Sequence, residues 1–469
     1  MTTFRNAIEE ISGLRYMADK LELASGLGRR VLYGMPFMVS AGEVAAELDR
    51  VGRMAGFRAG ESKADAVSAL MLKLGQVRDI HGTVVNLAAG RTLGDVEFFE
   101  VKVFAMTAEA LRAIITEAGI GVVGIPELGG VVALLDPDGT GIPHFTVYDA
   151  YSPTLAGVRK KIRKLRQKAG DAADEEKLAG LYAENARLED GVRVRLSGEL
   201  APFAAVLEDA MAAVAHLDIL MAKAAQARGM GLCRPEVGEG GETAYAGLFN
   251  PALREALKEK GKDFQPVDVA IGESPTVITG ANMGGKTVLL KTAALAQALC
   301  QFGFYVPAES ARVAVVDEIL TSIGDSQDEM SGLSSFAAEM VRLNGIAAAI
   351  KTGKKVIALI DEPARTTNPA EGEAIVNALL DFLAAHRVRA LVTSHYGGIR
   401  ADVKKLRVRG FVDDADTSGV TIRNIHDYMD YSLMEDDGKA PREALRIARM
   451  LGVDSELLDA AAEYLGVEC

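Results

Sequence analysis

Apolar positions recur at helical spacing through the first half of the chain and give way to short unbroken runs in the second. Phe4, Ile8, Ile11, Leu14, Leu21 and Leu23 fall on one stripe, with Glu9, Glu10, Asp19 and Glu22 on the other positions, which predicts an amphipathic N-terminal helix. Residues up to about 100 continue as helices separated by glycines, and 101–119 predict another helix. VVALL, the turn Asp136-Pro137-Asp138-Gly139 and HFTVYDA predict a β-hairpin, because Asp-Gly between β-rich runs favours a tight turn. Ser152-Pro153 opens a long helix, a second near 174–190 returns alongside it, and 203–228 form a further amphipathic helix. Beyond Gly229 the texture changes. Gly238, Gly240 and Gly241 loosen the chain, and the runs TVIT, RVAVV, KVIALI and RALVT then alternate with helical stretches. That alternation predicts a parallel α/β sheet. The expected organisation is a mainly helical domain over 1–235, with an arm near 152–200, followed by an α/β domain over 236–469.

Charge changes the picture in one place. The net charge of −13 weighs against general nucleic-acid binding. Yet Arg159, Lys160, Lys161, Arg163, Lys164, Arg166 and Lys168 crowd into one stretch of the arm, 159–168. Two readings stand there: the solvated face of a helical arm, or a contact for the phosphate backbone of duplex or branched DNA or for an acidic protein surface. No aromatic residues interleave, so base stacking is not indicated. Cys233, Cys300 and Cys469 are scattered, which argues against a disulfide framework or a zinc site and for a reducing compartment. The acidic N-terminal helix does not read as a signal peptide, and no apolar run approaches the roughly 18 residues of a membrane span, so a cytoplasmic protein without membrane contact is expected.

The candidate chemistry centres on Gly280-Ala281-Asn282-Met283-Gly284-Gly285-Lys286-Thr287, which fits GxxxxGK[ST] between a strand and a helix. The glycines let backbone N–H groups close on phosphates at a helix N-terminus. Lys286 is placed to reach the terminal phosphates of ATP, and Thr287 to ligate Mg²⁺. VIALIDE, a strand apolar throughout, ends on Asp361 for the magnesium shell and Glu362 as general base towards water. An Asp-Glu pair after a strand is otherwise a loop cap. His395 ends the strand RALVT and is either a sensor of the γ-phosphate or a structural histidine. Ser331, Gly332, Ser334 and Ser335 precede a helix beginning near Phe336 and form either an ordinary N-cap or a second anion site, completed across two subunits. Asn368, Pro369 and Glu371 predict a strong helix start, with Arg365, Thr366 and Thr367 just before it, close to the nucleotide.

These motifs resemble those of the MutS family of ABC-type ATPases. GANMGGKT is similar to its GPNMGGKST loop, IALIDEPARTT to the strand that ends DEIGRGT, TSHY to its THY switch, and the segment through GLSSF to its GRSTF signature. The resemblance implies an α/β P-loop ABC-type ATPase domain, closed by a C-terminal helix-turn-helix and preceded by a helical core with a lever arm. It implies ATP hydrolysis with Mg²⁺ in a nucleotide-gated dimer, of two like or two related subunits. It implies that Phe264 stacks on adenine, and that Gly280, Asn282, Met283, Gly284, Gly285, Lys286 and Thr287 wrap the phosphates. Ser334 and Ser335 would reach the partner's γ-phosphate, and His395 would act as the switch. Ala281, Leu333, Ala364 and Thr366 depart from the family pattern. The chain opens on the helical core, so a mismatch-reading domain is not expected. DEPARTTNPAEG resembles a narrower group, short MutS-like ATPases assigned to a reactivase for cobalamin-dependent lysine 5,6-aminomutase, which implies a protein client. The alternative is a DNA-structure-binding ATPase of the mismatch repair or recombination type.

Overall fold

Gly13 divides the predicted N-terminal helix in two. Its φ of 88° lies in the left-handed region, and α1 (Phe4–Glu10) and α2 (Leu14–Asp19) flank it. A Cβ there would also lie 3.1 Å from Leu295. Phe4 meets Phe302 edge-on at 5.0 Å and stacks on Phe304 at 5.7 Å.

The computed structural model describes residues 3–60, 63–167, 172–280, 284–324, 335–412, 424–436, 443–450 and 452–465. They form two compact units. One comprises Met1–Leu21, Met35–Gly52 and Gln226–Cys469, and the other Glu22–Gly34 and Arg53–Ala225. The division therefore does not follow the expected single cut at 235: the aromatic contacts of Phe4 hold the N-terminus in the C-terminal unit. Ala281, Asn282, Met283, Ser331, Gly332, Leu333, Ser334, Lys168 and Cys469 lie outside the described residues.

The chain continues through α3 (Gly26–Gly34), α4 (Ala41–Ala59), α5 (Ala64–Leu74), α6 (His81–Ala88), α7 (Asp95–Glu117), α8 (Gly129–Leu135), α9 (Pro153–Arg166), α10 (Ala172–Leu200) and α11 (Ala204–Met230). The predicted hairpin is absent from the described residues, and VVALL lies within α8. The cause is Asp136. Its carboxylate accepts hydrogen bonds from Gly141 N–H at 2.7 Å, Thr140 Oγ1 at 2.9 Å and Lys102 Nζ at 3.0 Å, which shapes the loop after α8 around a buried charge. Lys102 is fully buried in α7 and also donates to the His144 carbonyl and the Tyr148 hydroxyl. Burial alone would raise the Asp136 pKa, but these three donors outweigh it and hold it down at about 2.

Helix α9 packs along α10. Arg159 is spent inside this pair: it bonds the Val147 carbonyl, Asp149, Asn185 and Glu189. Lys160, Lys161, Arg163, Lys164 and Arg166 stay exposed, with Arg163 3.8 Å from Asp149.

The other unit holds β1 (Glu236–Gly238), β2 (Thr243–Leu248), α12 (Pro251–Glu259), β3 (Val267–Ile271), β4 (Thr276–Thr279), α13 (Lys286–Gln301), β5 (Ser310–Ala314), β6 (Glu318–Ser322), α14 (Ser335–Lys351), β7 (Val356–Ile360), α15 (Pro369–Ala385), β8 (Arg389–Thr393), β9 (Lys404–Phe411), β10 (Met429–Glu435), α16 (Glu443–Met450) and α17 (Ser455–Leu465). A six-stranded sheet runs β10-β9-β4-β8-β7-β6, parallel except for the β10–β9 pair. Every residue of β7 and β8 is buried, which explains their unbroken apolar character. Arg389 and Thr393 of β8 are the exceptions in type, and Arg389 is satisfied by the Gly241 carbonyl and Glu273. RVAVV begins in β5, which belongs to a separate four-stranded sheet, β1-β5-β2-β3. The strand beside β7 is instead EILTS, β6. Asn368 caps α15 by accepting from Ala370 N–H at 2.9 Å, with Pro369 as first residue. Among the described residues no helix is long and apolar enough to cross a membrane.

Candidate nucleotide site

Strand β4 is followed by Gly280, whose φ is 137° and whose Cβ, if present, would lie 3.2 Å from Val408 Cβ and 3.4 Å from its backbone nitrogen. Only glycine fits that turn without strain. Gly285 is the N-cap of α13 with φ 73°, and a Cβ there would meet the Tyr431 ring at 3.0 Å. The N-terminus of α13 thus opens into a cavity of about 1130 Å³ lined by Gly284, Gly285, Lys286 and Thr287.

Five side chains form one contact set beside it. Lys286, 5% exposed, donates to the Gly280 carbonyl at 2.7 Å and lies 3.4 Å from Glu362 Oε1. Thr287 Oγ1 donates to Asp361 Oδ2 at 2.7 Å. Thr393 Oγ1, at the end of β8, donates to Asp361 Oδ1 at 2.6 Å and accepts from Glu362 N–H at 2.8 Å. Asp361 N–H donates to the Ser322 carbonyl at 2.8 Å, so the carboxylate and its backbone are both fixed. Thr393 escaped the reading of the sequence. The available signal was a hydroxyl at the C-terminal end of the strand paired to β7.

The donor set suits a hard cation. Thr287 and Asp361 offer a hydroxyl and a carboxylate in contact, beside a helix N-terminus suited to phosphate. Mg²⁺ is held in this way by one or two protein oxygens, with water and phosphate completing its shell. Among the described residues no group of three or more His, Cys, Asp or Glu could hold a metal ion.

Another part of the cavity lining is aromatic and apolar. Phe264 lines it, together with Leu257, His426, Tyr431 and Leu433. His426 Nδ1 lies 3.1 Å from the Tyr431 hydroxyl, so the second wall is built from residues that no motif marked. Gln265 fixes that wall by donating to Asp430 Oδ1 at 2.8 Å and accepting from Tyr431 N–H at 3.0 Å. Burial would raise the Asp430 pKa, but bonds from Ser432 and Gln265 lower it, while burial raises that of Tyr431.

Not every expected residue is gathered. His395 is exposed at the end of β8, its ring 4.3 Å from that of Tyr396, and it is not among the described residues lining the cavity. Ser335 opens α14, while Asn282, Met283 and Ser334 lie outside the described residues.

A helical unit and an α/β unit with this site define a class of protein that comparison makes more specific. Residues 276–466 match the family model for MutS domain V. The chain is 33% identical over 209 residues to Endonuclease MutS2 of Caldicellulosiruptor bescii, covering 44% of this chain and 25% of that protein. It is 29% identical over 296 residues to DNA mismatch repair protein MutS of Syntrophomonas wolfei, covering 62% of this chain and 33% of that protein. It is 37% identical over 191 residues to Endonuclease MutS2 of Thermus thermophilus, covering 40% of this chain and 24% of that protein. The chain thus matches about a quarter to a third of the length of these relatives. Residues 276–466 are thus similar to MutS domain V, and the relatives matched are MutS and MutS2 proteins.

Proposed function

We propose that this chain is an ABC-type P-loop ATPase that hydrolyses ATP to ADP and phosphate and uses the cycle to act on DNA. The observation that carries the ATPase reading is the contact set joining Lys286 and Thr287 to Glu362 and Asp361, the two residues that follow β7. In this reading the triphosphate lies along the N-terminus of α13 and the base lies between Phe264 and the Tyr431 wall. Mg²⁺, held by Thr287 and Asp361, supplies charge neutralisation on the phosphates. Glu362 accepts a proton from water as the water oxygen attacks the γ-phosphorus. The bond to the bridging oxygen breaks, and its electron pair leaves with ADP. A dimer, with Ser334 and Ser335 reaching the partner's nucleotide, belongs to the same proposal, as does a γ-phosphate switch at His395.

DNA is favoured as the client by two observations. The relatives above carry mismatch-repair and endonuclease names. Helix α9 exposes Lys160, Lys161, Lys164 and Arg166 on one helix of the arm, a charge distribution suited to phosphate backbone. The aminomutase reading rests on DEPARTTNPAEG alone and draws no support from those names. The deciding experiment is phosphate release with and without duplex and branched DNA at about 0.15 M salt, where weak surface contacts are screened. Stimulation by DNA supports the proposal. Turnover indifferent to DNA, but raised by an inactivated cobalamin-dependent aminomutase, contradicts the DNA assignment.

A further inference from the structure

The carboxylate of Glu362 is held between two cations. Oε1 lies 3.4 Å from Lys286 Nζ, and Oε2 lies 3.5 Å from Arg365 Nη1. The backbone beneath it is fixed separately. Glu362 takes φ 42° and Ala364 φ 60°, left-handed conformations uncommon for residues other than glycine. Thr393 receives the Glu362 N–H, Glu339 receives the Ala364 N–H at 2.9 Å, and the Tyr396 hydroxyl donates to the Ala364 carbonyl at 2.8 Å. Arg365 therefore stands on a turn tied to β8, to α14 and to the residue after β8's polar tip. Ala364 occupies a position where the resemblance expects glycine, and the three bonds explain how alanine is tolerated there.

The two cations are not equivalent. Lys286 is buried against the phosphate loop, whereas the Arg365 side chain is 47% exposed and lines the same cavity. A triphosphate at the start of α13 competes for the Lys286 ammonium, because three donors on one charge favour the more highly charged phosphate. Arg365 then remains on Glu362. We infer that Arg365 is a positioning residue for hydrolysis, holding the Glu362 carboxylate towards the attacking water once Lys286 engages the nucleotide. This rests on the ATPase reading above. An ion pair whose arginine is half-exposed and whose N–O spacing is 3.5 Å ordinarily contributes little to stability, so its effect is expected in turnover and not in folding.

The test uses the full chain and compares Arg365→Met, Arg365→Lys and Glu362→Gln. Phosphate release gives kcat and KM, a fluorescent ATP analogue gives Kd, and thermal melting reports folding. Arg365→Met should melt with the wild type and lower kcat about 10- to 100-fold, the scale of a misplaced catalytic group. Its Kd and KM should stay within about two-fold, and Arg365→Lys, which keeps the charge, should recover part of the rate. Should the methionine variant fail to fold, Arg365→Gln replaces it with the same expectations. Wild-type kcat in the uncharged variant, or a Kd weakened in step with kcat, overturns the inference while Glu362→Gln still abolishes turnover. Undiminished turnover in Glu362→Gln instead brings down the ATPase reading, and this inference with it.

Discussion

The Thr287 hydroxyl donates to Asp361 Oδ2 at 2.7 Å, which fastens the first turn of α13 to the end of β7. Thr393 grips the other carboxylate oxygen from β8, so three neighbouring elements of the unit converge on one aspartate.

Thr393→Val removes a donor to a charged acceptor and the acceptor for Glu362 N–H at once. Hydrogen bonds to charged groups are worth about 1.5–3 kcal/mol, so denaturant melts should show a loss of that order. Nucleotide turnover should fall at limiting Mg²⁺ more than at saturating Mg²⁺. Equal loss at all Mg²⁺ concentrations would detach Thr393 from the cation site.

Gly285→Ala forces a Cβ to 3.0 Å from the Tyr431 ring in a backbone with φ 73°. The variant should bind a fluorescent ATP analogue at least about ten-fold more weakly, equivalent to roughly 1.4 kcal/mol. Unchanged affinity would place the nucleotide elsewhere.

Lys102→Met strands the buried Asp136 carboxylate. Removing one member of a buried pair typically costs about 3–5 kcal/mol, and urea unfolding of the variant should show a destabilisation of that order. A neutral result would mean that the Thr140 and Gly141 donors suffice.

Asp136 also sets an acid limb. Its folded pKa of about 2 lies below the usual carboxylate value. Its contribution to stability is therefore complete above about pH 4, the unfolded value, and fades as pH falls towards 2. Asp136→Asn should flatten stability against pH within that window. An unchanged slope there would deny the assignment.

How much of this was legible in the sequence depends on the range of the forces involved. The cap formed by Asn368 and Pro369 was readable because its partners are adjacent in the chain. Strand β7 with Asp361 and Glu362 was readable because burial on both faces leaves an unbroken apolar run. The segment after residue 130 was misread because Lys102, thirty-four positions away, decides its shape through Asp136. EILTS went unnoticed because β6 is only partly buried, and its place depends on pairing with β7. Thr393 acquires its role from the same kind of pairing, in which Ile360 aligns with Val392. The Phe4 contacts with Phe302 and Phe304 span most of the chain, so no local pattern announced them.

The most direct measurement is phosphate release by the wild type and Glu362→Gln with Mg·ATP, alongside binding of a fluorescent ATP analogue. The account predicts Mg²⁺-dependent turnover by the wild type. In the variant it predicts turnover reduced at least about 100-fold, the upper range for loss of a general base, with nucleotide binding retained. A variant as active as the wild type, or a wild type that neither binds nor hydrolyses ATP, would contradict it.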